Sequence, residues 1–106
     1  MYYMFQINYQ YIFNILGAYS VVLKLDDKGY FGLSLKQFGP GHFKISRIKP
    51  QGPAYKNGRI AVGDDVIAIN DVQITETTSL DVILTIVKES GSTLKLMLKS
   101  QNFNPG

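Results

Sequence analysis

The sequence contains no cysteine, and that absence removes a disulfide framework, thiolate-held zinc and thiol catalysis together. It has a single histidine, His42, so a multi-histidine metal site is excluded and no cofactor is expected. Charge is sparse as well: 18% of residues are Asp, Glu, Lys or Arg, and 11 basic against 8 acidic side chains leave +3. So small an excess, without clustered arginines, does not point to nucleic acid. The aromatics also concentrate in an uncharged stretch, whereas single-strand binders interleave them with basic residues. Catalytic motifs are missing: there is no Gly-x-Ser-x-Gly elbow and no phosphate loop ending in Gly-Lys-Ser or Gly-Lys-Thr, and Gly39-Pro40-Gly41 lacks a third glycine at dinucleotide spacing. Asp26-Asp27 and Asp64-Asp65 are poor acid–base pairs, since neighbours on a strand face opposite ways and turn aspartates bond their own backbone. The chain is not expected to be an enzyme.

At 106 residues, with 45% hydrophobic residues, the chain suits one folded domain. Residues 1–18 carry no charged side chain at neutral pH; they read MYYMFQINYQYIFNILGA, with Gln6, Asn8, Gln10 and Asn14 among Tyr, Phe and Ile. The segment lacks the basic start, unbroken apolar run and small-residue cleavage site of a secretory signal. Four amides make it a poor membrane span. It is expected to be an uncharged, aromatic-rich extension or flank, with a membrane-interface segment and a gene-boundary artefact as the other readings. Residues 101–106 form a polar tail.

Between them, short β-branched runs alternate with turn signals, as in a small α+β, mostly β domain. Strands are predicted at Tyr19–Leu25, at Phe31–Lys36, where apolar and polar residues alternate, at Phe43–Ile48, across Val66–Ile69, and at Thr93–Lys99. Asp26–Gly29, Phe38–Gly41, Gly63-Asp64 and Asn70-Asp71 read as turns or loops. Pro53–Asn57 reads as one helical turn with proline at its start and Gly58 past its end. The long helix is predicted over Ser79–Glu89, with Thr78 and Asp81 spaced as a capping box and Gly91 as its left-handed end. Leu80, Ile83, Leu84 and Val87 form its apolar stripe, widened by Val82 and Ile86.

The order Phe31-Gly32-Leu33, Gly52-Pro53-Ala54, Gly58-Arg59-Ile60, Val62-Gly63-Asp64, Ile67-Ala68-Ile69-Asn70, helix, strand resembles a PDZ domain over about residues 19–100. The resemblance implies a partly open antiparallel barrel or sandwich of five to six strands with two helices. It further implies an interaction module that binds the C-terminal tails of partner proteins, as part of a scaffold or adaptor. Strand addition to an open edge is the physical means: main-chain bonds give affinity and side pockets give choice.

The resemblance assigns Tyr30-Phe31-Gly32-Leu33 to the carboxylate loop, of form X-Φ-G-Φ where Φ is apolar; Tyr30 stands where the family most often has glycine. Gly32 suits a loop that turns N–H groups toward an anion. Ser34, Leu35 and Lys36 continue the peptide-binding strand. Phe31, Leu33 and Leu35 with Leu84 and Val87 would hold the last ligand side chain, a burial contributing about 1.5 to 3 kcal/mol. Leu80 falls where domains preferring Ser or Thr two residues before the ligand's end carry histidine. A hydroxyl left unpartnered there costs about 1 to 3 kcal/mol, so a Φ-X-Φ-COOH ligand is expected, provided the helix register holds. Val82, Ile83 and Ile86 are expected in the core, and His42 in a loop.

Lys28 and Lys24 are candidates to support the carboxylate, while Asp26 competes for the aligned place. Lys36, Lys44 and Arg47, expected on the exposed side of strands two and three, would favour acidic residues upstream in the ligand by about tenths of a kcal/mol, unless they are an ordinary solvated face. The implied partners are membrane receptors, channels or signalling proteins, met in cytoplasmic, membrane-associated complexes. The alternative function is a membrane- or phosphoinositide-associated module that uses the aromatic N-terminal segment.

Overall fold

A computed structural model describes residues 17–101. Six strands and two helices follow in the order β1 (Ala18–Lys24), β2 (Leu33–Gly39), β3 (His42–Ile48), α1 (Pro53–Asn57), β4 (Asp65–Ile69), β5 (Val72–Gln73), α2 (Leu80–Glu89) and β6 (Thr93–Lys99). The strands form one antiparallel sheet in the order β1-β6-β4-β3-β2, with β5 paired to β4 off this path. Among the described residues β2 therefore has a single strand neighbour. Alternation sorts the side chains: Val21 and Leu23 of β1 face Leu96 and Leu94 of β6 and are buried with them, while Val22 and Lys24, which alternate with them, are exposed. Phe43 and Ile45 of β3, Ala54 of α1, Ile60 between α1 and β4, Val66 and Ile69 of β4, Ile83 of α2 and Leu98 of β6 complete the core. Phe31, Leu33, Leu35, Ile86 and Val87 pack partly buried against it.

Most elements fall where their local signals put them. β6 spans the predicted residues, and α1 begins at Pro53 and ends at Gly58 in the left-handed conformation. Gly91 is left-handed past α2, with φ 73°. Asn70 and Asp71 turn the β4–β5 hairpin at φ 49° and 66°, the backbone that a two-residue turn between paired strands requires.

The differences have physical reasons. β2 starts at Leu33, two residues later than expected, because Gly32 at φ 81° interrupts the extended run. It continues through Phe38 and Gly39, expected as loop, by pairing with β3 across a register shift. His42 opens β3 rather than lying in a loop, and its Nε2 is 3.1 Å from Asp65 Oδ1. The helix cap is Ser79, whose hydroxyl accepts from the Val82 N–H at 3.2 Å. Thr78 is instead held by the turn before the helix, accepting from the Thr75 N–H at 2.9 Å, so the Thr78–Asp81 box does not form. Val82 is exposed, not core, and only Ile83 of α2 is fully buried. The two-residue β5 carried no signal of its own. β1 takes in Ala18, expected in the N-terminal extension; residues 1–16 of that aromatic extension and residues 102–106 of the polar tail lie outside the described residues. Among the described residues no helix is long and apolar enough to cross a membrane.

Candidate functional site

A cleft of about 840 Å³ opens between β2 and α2, with the loop before β2 at one end. Asp26 shapes that loop. Its Oδ1 accepts the N–H groups of Lys28 and Tyr30, both at 2.9 Å, and its own N–H donates to the Tyr30 carbonyl at 2.9 Å. The Tyr30 bond is the largest cause of an Asp26 carboxyl held below its ordinary value; burial opposes this, while the Lys28 N–H, Lys49 and Lys28 add to it. The turn thus forms most firmly when Asp26 is ionised.

Beyond Tyr30 the chain is pinned from behind. The Ala54 N–H donates to the Phe31 carbonyl at 3.2 Å and the Lys49 N–H to the Gly32 carbonyl at 2.9 Å. In a planar trans peptide the carbonyl and the following N–H point in opposite directions. With both carbonyls engaged by the body of the domain, the N–H groups of Gly32 and Leu33 are directed away from it, at residues that line the cleft. Successive N–H groups so presented make an anion-binding concavity. Glycine is favoured at position 32, since a Cβ there would lie 3.1 Å from Pro53 Cδ and 3.3 Å from Gly52 Cα and the left-handed φ disfavours other residues.

The register leaves β2 open. Leu33 stands opposite Ile48, and the flanking bond from Lys49 to Gly32 makes this a non-hydrogen-bonded pair, so both backbone groups of Leu33 project away from β3. Alternation repeats that orientation at Leu35, past a bulge between Ser34 and Leu35.

The cleft brings together Tyr30, Phe31, Gly32, Leu33, Ser34, Leu35, Leu80, Leu84 and Val87 of the residues singled out from sequence. Leu80 and Leu84 are exposed at 39% and 57%, too open for core side chains of a free-standing helix and apolar all the same. Lys24, Lys28 and Lys36 do not line it: Lys24 sits on β1 opposite Thr93, Lys28 in the Asp26 turn, and Lys36 has its ammonium 5.5 Å from the Phe38 ring. The basic residues that do line it are Arg47, Lys49 and Lys88. Lys49, whose ammonium is 5.7 Å from the Tyr30 ring, and Lys88 were missed because their proximity depends on β3 and α2 meeting the loop. Lys44 is not a free surface charge, since it pairs with Asp65 at 2.8 Å.

The paired aspartates go separate ways. Asp64 is buried and accepts from the Tyr19 hydroxyl and from the N–H groups of Ala61 and Gln101, both at 3.3 Å. Asp65 meets Lys44 and His42 on the surface. Burial pushes the Asp65 carboxyl up, but the Lys44 ammonium and the His42 ring outweigh it and hold it below its ordinary value.

A sheet with one open strand, faced by a helix across an apolar cleft and closed by an N–H-presenting loop, defines a protein-interaction module. The sequence model of the PDZ domain matches residues 20–99. Over 90 residues the chain is 38% identical to the membrane-associated guanylate kinase, WW and PDZ domain-containing protein 3 of Xenopus tropicalis, a match covering 79% of this chain and 8% of that protein. It is 28% identical over 86 residues to the segment polarity protein dishevelled homolog mig-5 of Caenorhabditis elegans, covering 81% of this chain and 13% of the relative. Among solved structures, the second PDZ domain of Dlg1 from the choanoflagellate Monosiga brevicollis superposes with a TM-score of 0.71 at 20% identity, covering 80% of this chain and all of that one. The chain belongs to the PDZ domain family, a class of non-catalytic modules that bind peptides of partner proteins.

Proposed function

We propose that this domain captures the carboxyl terminus of a partner polypeptide as an added strand, antiparallel to β2 and beneath α2. The observation that carries the reading is the backbone of Phe31–Leu33: the Phe31 and Gly32 carbonyls are tied into the domain, while the N–H groups of Gly32 and Leu33 are left for an anion at one end of an apolar cleft. A terminal carboxylate accepts from those N–H groups, and the terminal residue's N–H donates to the Leu33 carbonyl. Its side chain lies among Phe31, Leu33, Leu35, Leu84 and Val87. The residue two before it meets Leu80, which offers no hydrogen-bonding atom, so the ligand is of the form Φ-X-Φ-COOH. Lys49 and Lys88 supply positive charge near the carboxylate in place of Lys24 and Lys28.

With one or two buried anchors, affinity falls in the micromolar range, about −6 to −8 kcal/mol, suited to reversible assembly. The relatives' great length and the words membrane-associated in one name support a place as one module of a scaffold in cytoplasmic, membrane-associated complexes, with receptors, channels or signalling proteins as partners. Fluorescence polarisation with a labelled peptide ending Phe-Tyr-Val, as free acid and as amide, tests the reading. Micromolar binding of the acid with loss for the amide supports it; equal binding of the two refutes carboxylate capture.

A further inference from the structure

The wall of the cleft contains Arg47, Lys49 and Lys88 and no acidic residue. Arg47 and Lys49 are exposed, and the ion pairs of the described residues engage other cations, namely His42, Lys44 and Lys95. Asp26 is the carboxylate that feels Lys49, but its Oδ1 is committed to the N–H groups of Lys28 and Tyr30. Asp26 thus offsets Lys49 only in part and from a distance, and among the described residues no carboxylate forms an ion pair with Arg47, Lys49 or Lys88.

The register says which ligand residue meets it. Ser34 and Arg47 are direct cross-strand partners, so their side chains share one face of the sheet; Lys49, two residues beyond Arg47, shares it too. Leu33 and Leu35 point to the opposite face. A ligand strand whose last residue bonds to Leu33 sets its penultimate residue beside Ser34, with that side chain on the Arg47 and Lys49 face. The backbones of ligand and β3 are then two strand spacings apart, about 10 Å, a gap that extended Arg and Glu side chains close together.

We propose that this domain selects an acidic side chain at the residue immediately before the ligand's C-terminal residue, with Arg47 and Lys49 as the selecting groups. The inference rests on the strand-addition reading above and narrows its ligand to Φ-(Asp/Glu)-Φ-COOH. The pairing lies at an exposed rim, so its size is that of surface ion pairs and it weakens with salt.

The test is a fluorescence-polarisation series on the full chain with free-acid peptides ending Phe-Glu-Val, Phe-Gln-Val and Phe-Lys-Val, together with Phe-Gln-Val as the amide. The expected order is Glu, Gln, Lys, with about a two- to fivefold step from Gln to Glu that shrinks between about 50 mM and about 500 mM sodium chloride. In Arg47→Glu, which leaves Lys49 and Lys88 near the carboxylate, the preference for Glu over Lys is lost, whereas Lys99→Glu, the same kind of charge reversal on β6, keeps the original order. Equal affinity for the three acids, with the amide still not binding, overturns this inference and leaves strand addition standing. Equal binding of Phe-Gln-Val acid and amide, or no binding of any peptide, overturns the strand-addition reading and this inference with it.

Discussion

The phenol of Tyr19 on β1 donates to the carboxylate of Asp64, 45 residues further along the chain. The Arg59 guanidinium lies 5.2 Å from the same ring, and its Nη1 donates to the Ser20 carbonyl at 3.1 Å. Burial and then the Asp64 bond raise the Tyr19 pKa well above its ordinary 10.0. A raised value means that this contribution to stability is fully present below pH 10.0 and is lost as pH rises beyond it. Tyr19→Phe, which leaves Asp64 buried with two backbone donors, should cost about 1 to 3 kcal/mol in urea unfolding at neutral pH. The cost should diminish on the alkaline side.

Asp65 sets the acid side. Its carboxyl is held below the ordinary 3.8, so its contribution is present above that pH and is lost as pH falls through the lower folded value. Unfolding of wild type and Asp65→Asn should therefore differ at neutral pH and converge below pH 3.8. A difference that persists unchanged into acid would mean that the pairing with Lys44 and His42 contributes nothing.

Leu80→His introduces a hydrogen-bonding group at the first residue of α2. Binding of peptides with Thr two residues before the end should strengthen against those with Phe there by about two- to tenfold, the worth of one hydrogen bond. An unchanged ratio would show that Leu80 does not meet that residue.

Leu33→Asp puts a carboxylate in the apolar wall beside the N–H groups offered to the ligand. Peptide binding should fall by at least about tenfold, since an unpaired charge in an apolar site is strongly disfavoured. A circular dichroism melt separates lost binding from lost folding.

Gly41→Ala tests the far end of β2. A Cβ there would lie 2.3 Å from the Thr75 carbonyl oxygen and 2.7 Å from Glu76 Cα, backbone atoms that cannot yield. Thermal unfolding should drop by several degrees or more, corresponding to about 1 to 3 kcal/mol. The same substitution at Gly58, where nothing lies within 4 Å of the added carbon, carries only the cost of its left-handed φ.

What was legible in the sequence was local. The alternation in Thr93–Lys99, the proline and glycine bounding Pro53–Asn57 and the stripe Leu80, Ile83, Leu84 and Val87 state their own structures, because each signal fits within a few residues. The boundary of β2 did not, because Gly32 ends the extended run at a left-handed φ, held by the bonds from Ala54 and Lys49 to the Phe31 and Gly32 carbonyls. Ser79 and Thr78 are adjacent hydroxyls equally able to cap, and only the Thr75 turn decides between them. Asn70 gave a turn signal, yet its amide also binds the Lys95 N–H at 2.9 Å and the Ser90 hydroxyl at 2.8 Å, joining the hairpin to β6 and the end of α2. The basic rim was legible least, since Lys49 and Lys88 reach the cleft from elements distant in sequence.

β1 begins where β6 ends: Ala18 lies opposite Lys99, and the Ser100 N–H donates to the Gly17 carbonyl at 3.0 Å. Tension applied through the chain at these two points pulls the pair apart crosswise, so its hydrogen bonds carry the load one after another, as in a zipper, and not all at once. β2 lies at the opposite edge of the sheet, off that load path until β1 has peeled away. Stretched through its ends, this domain would therefore begin to open at β1, the strand farthest in the sheet from the peptide groove.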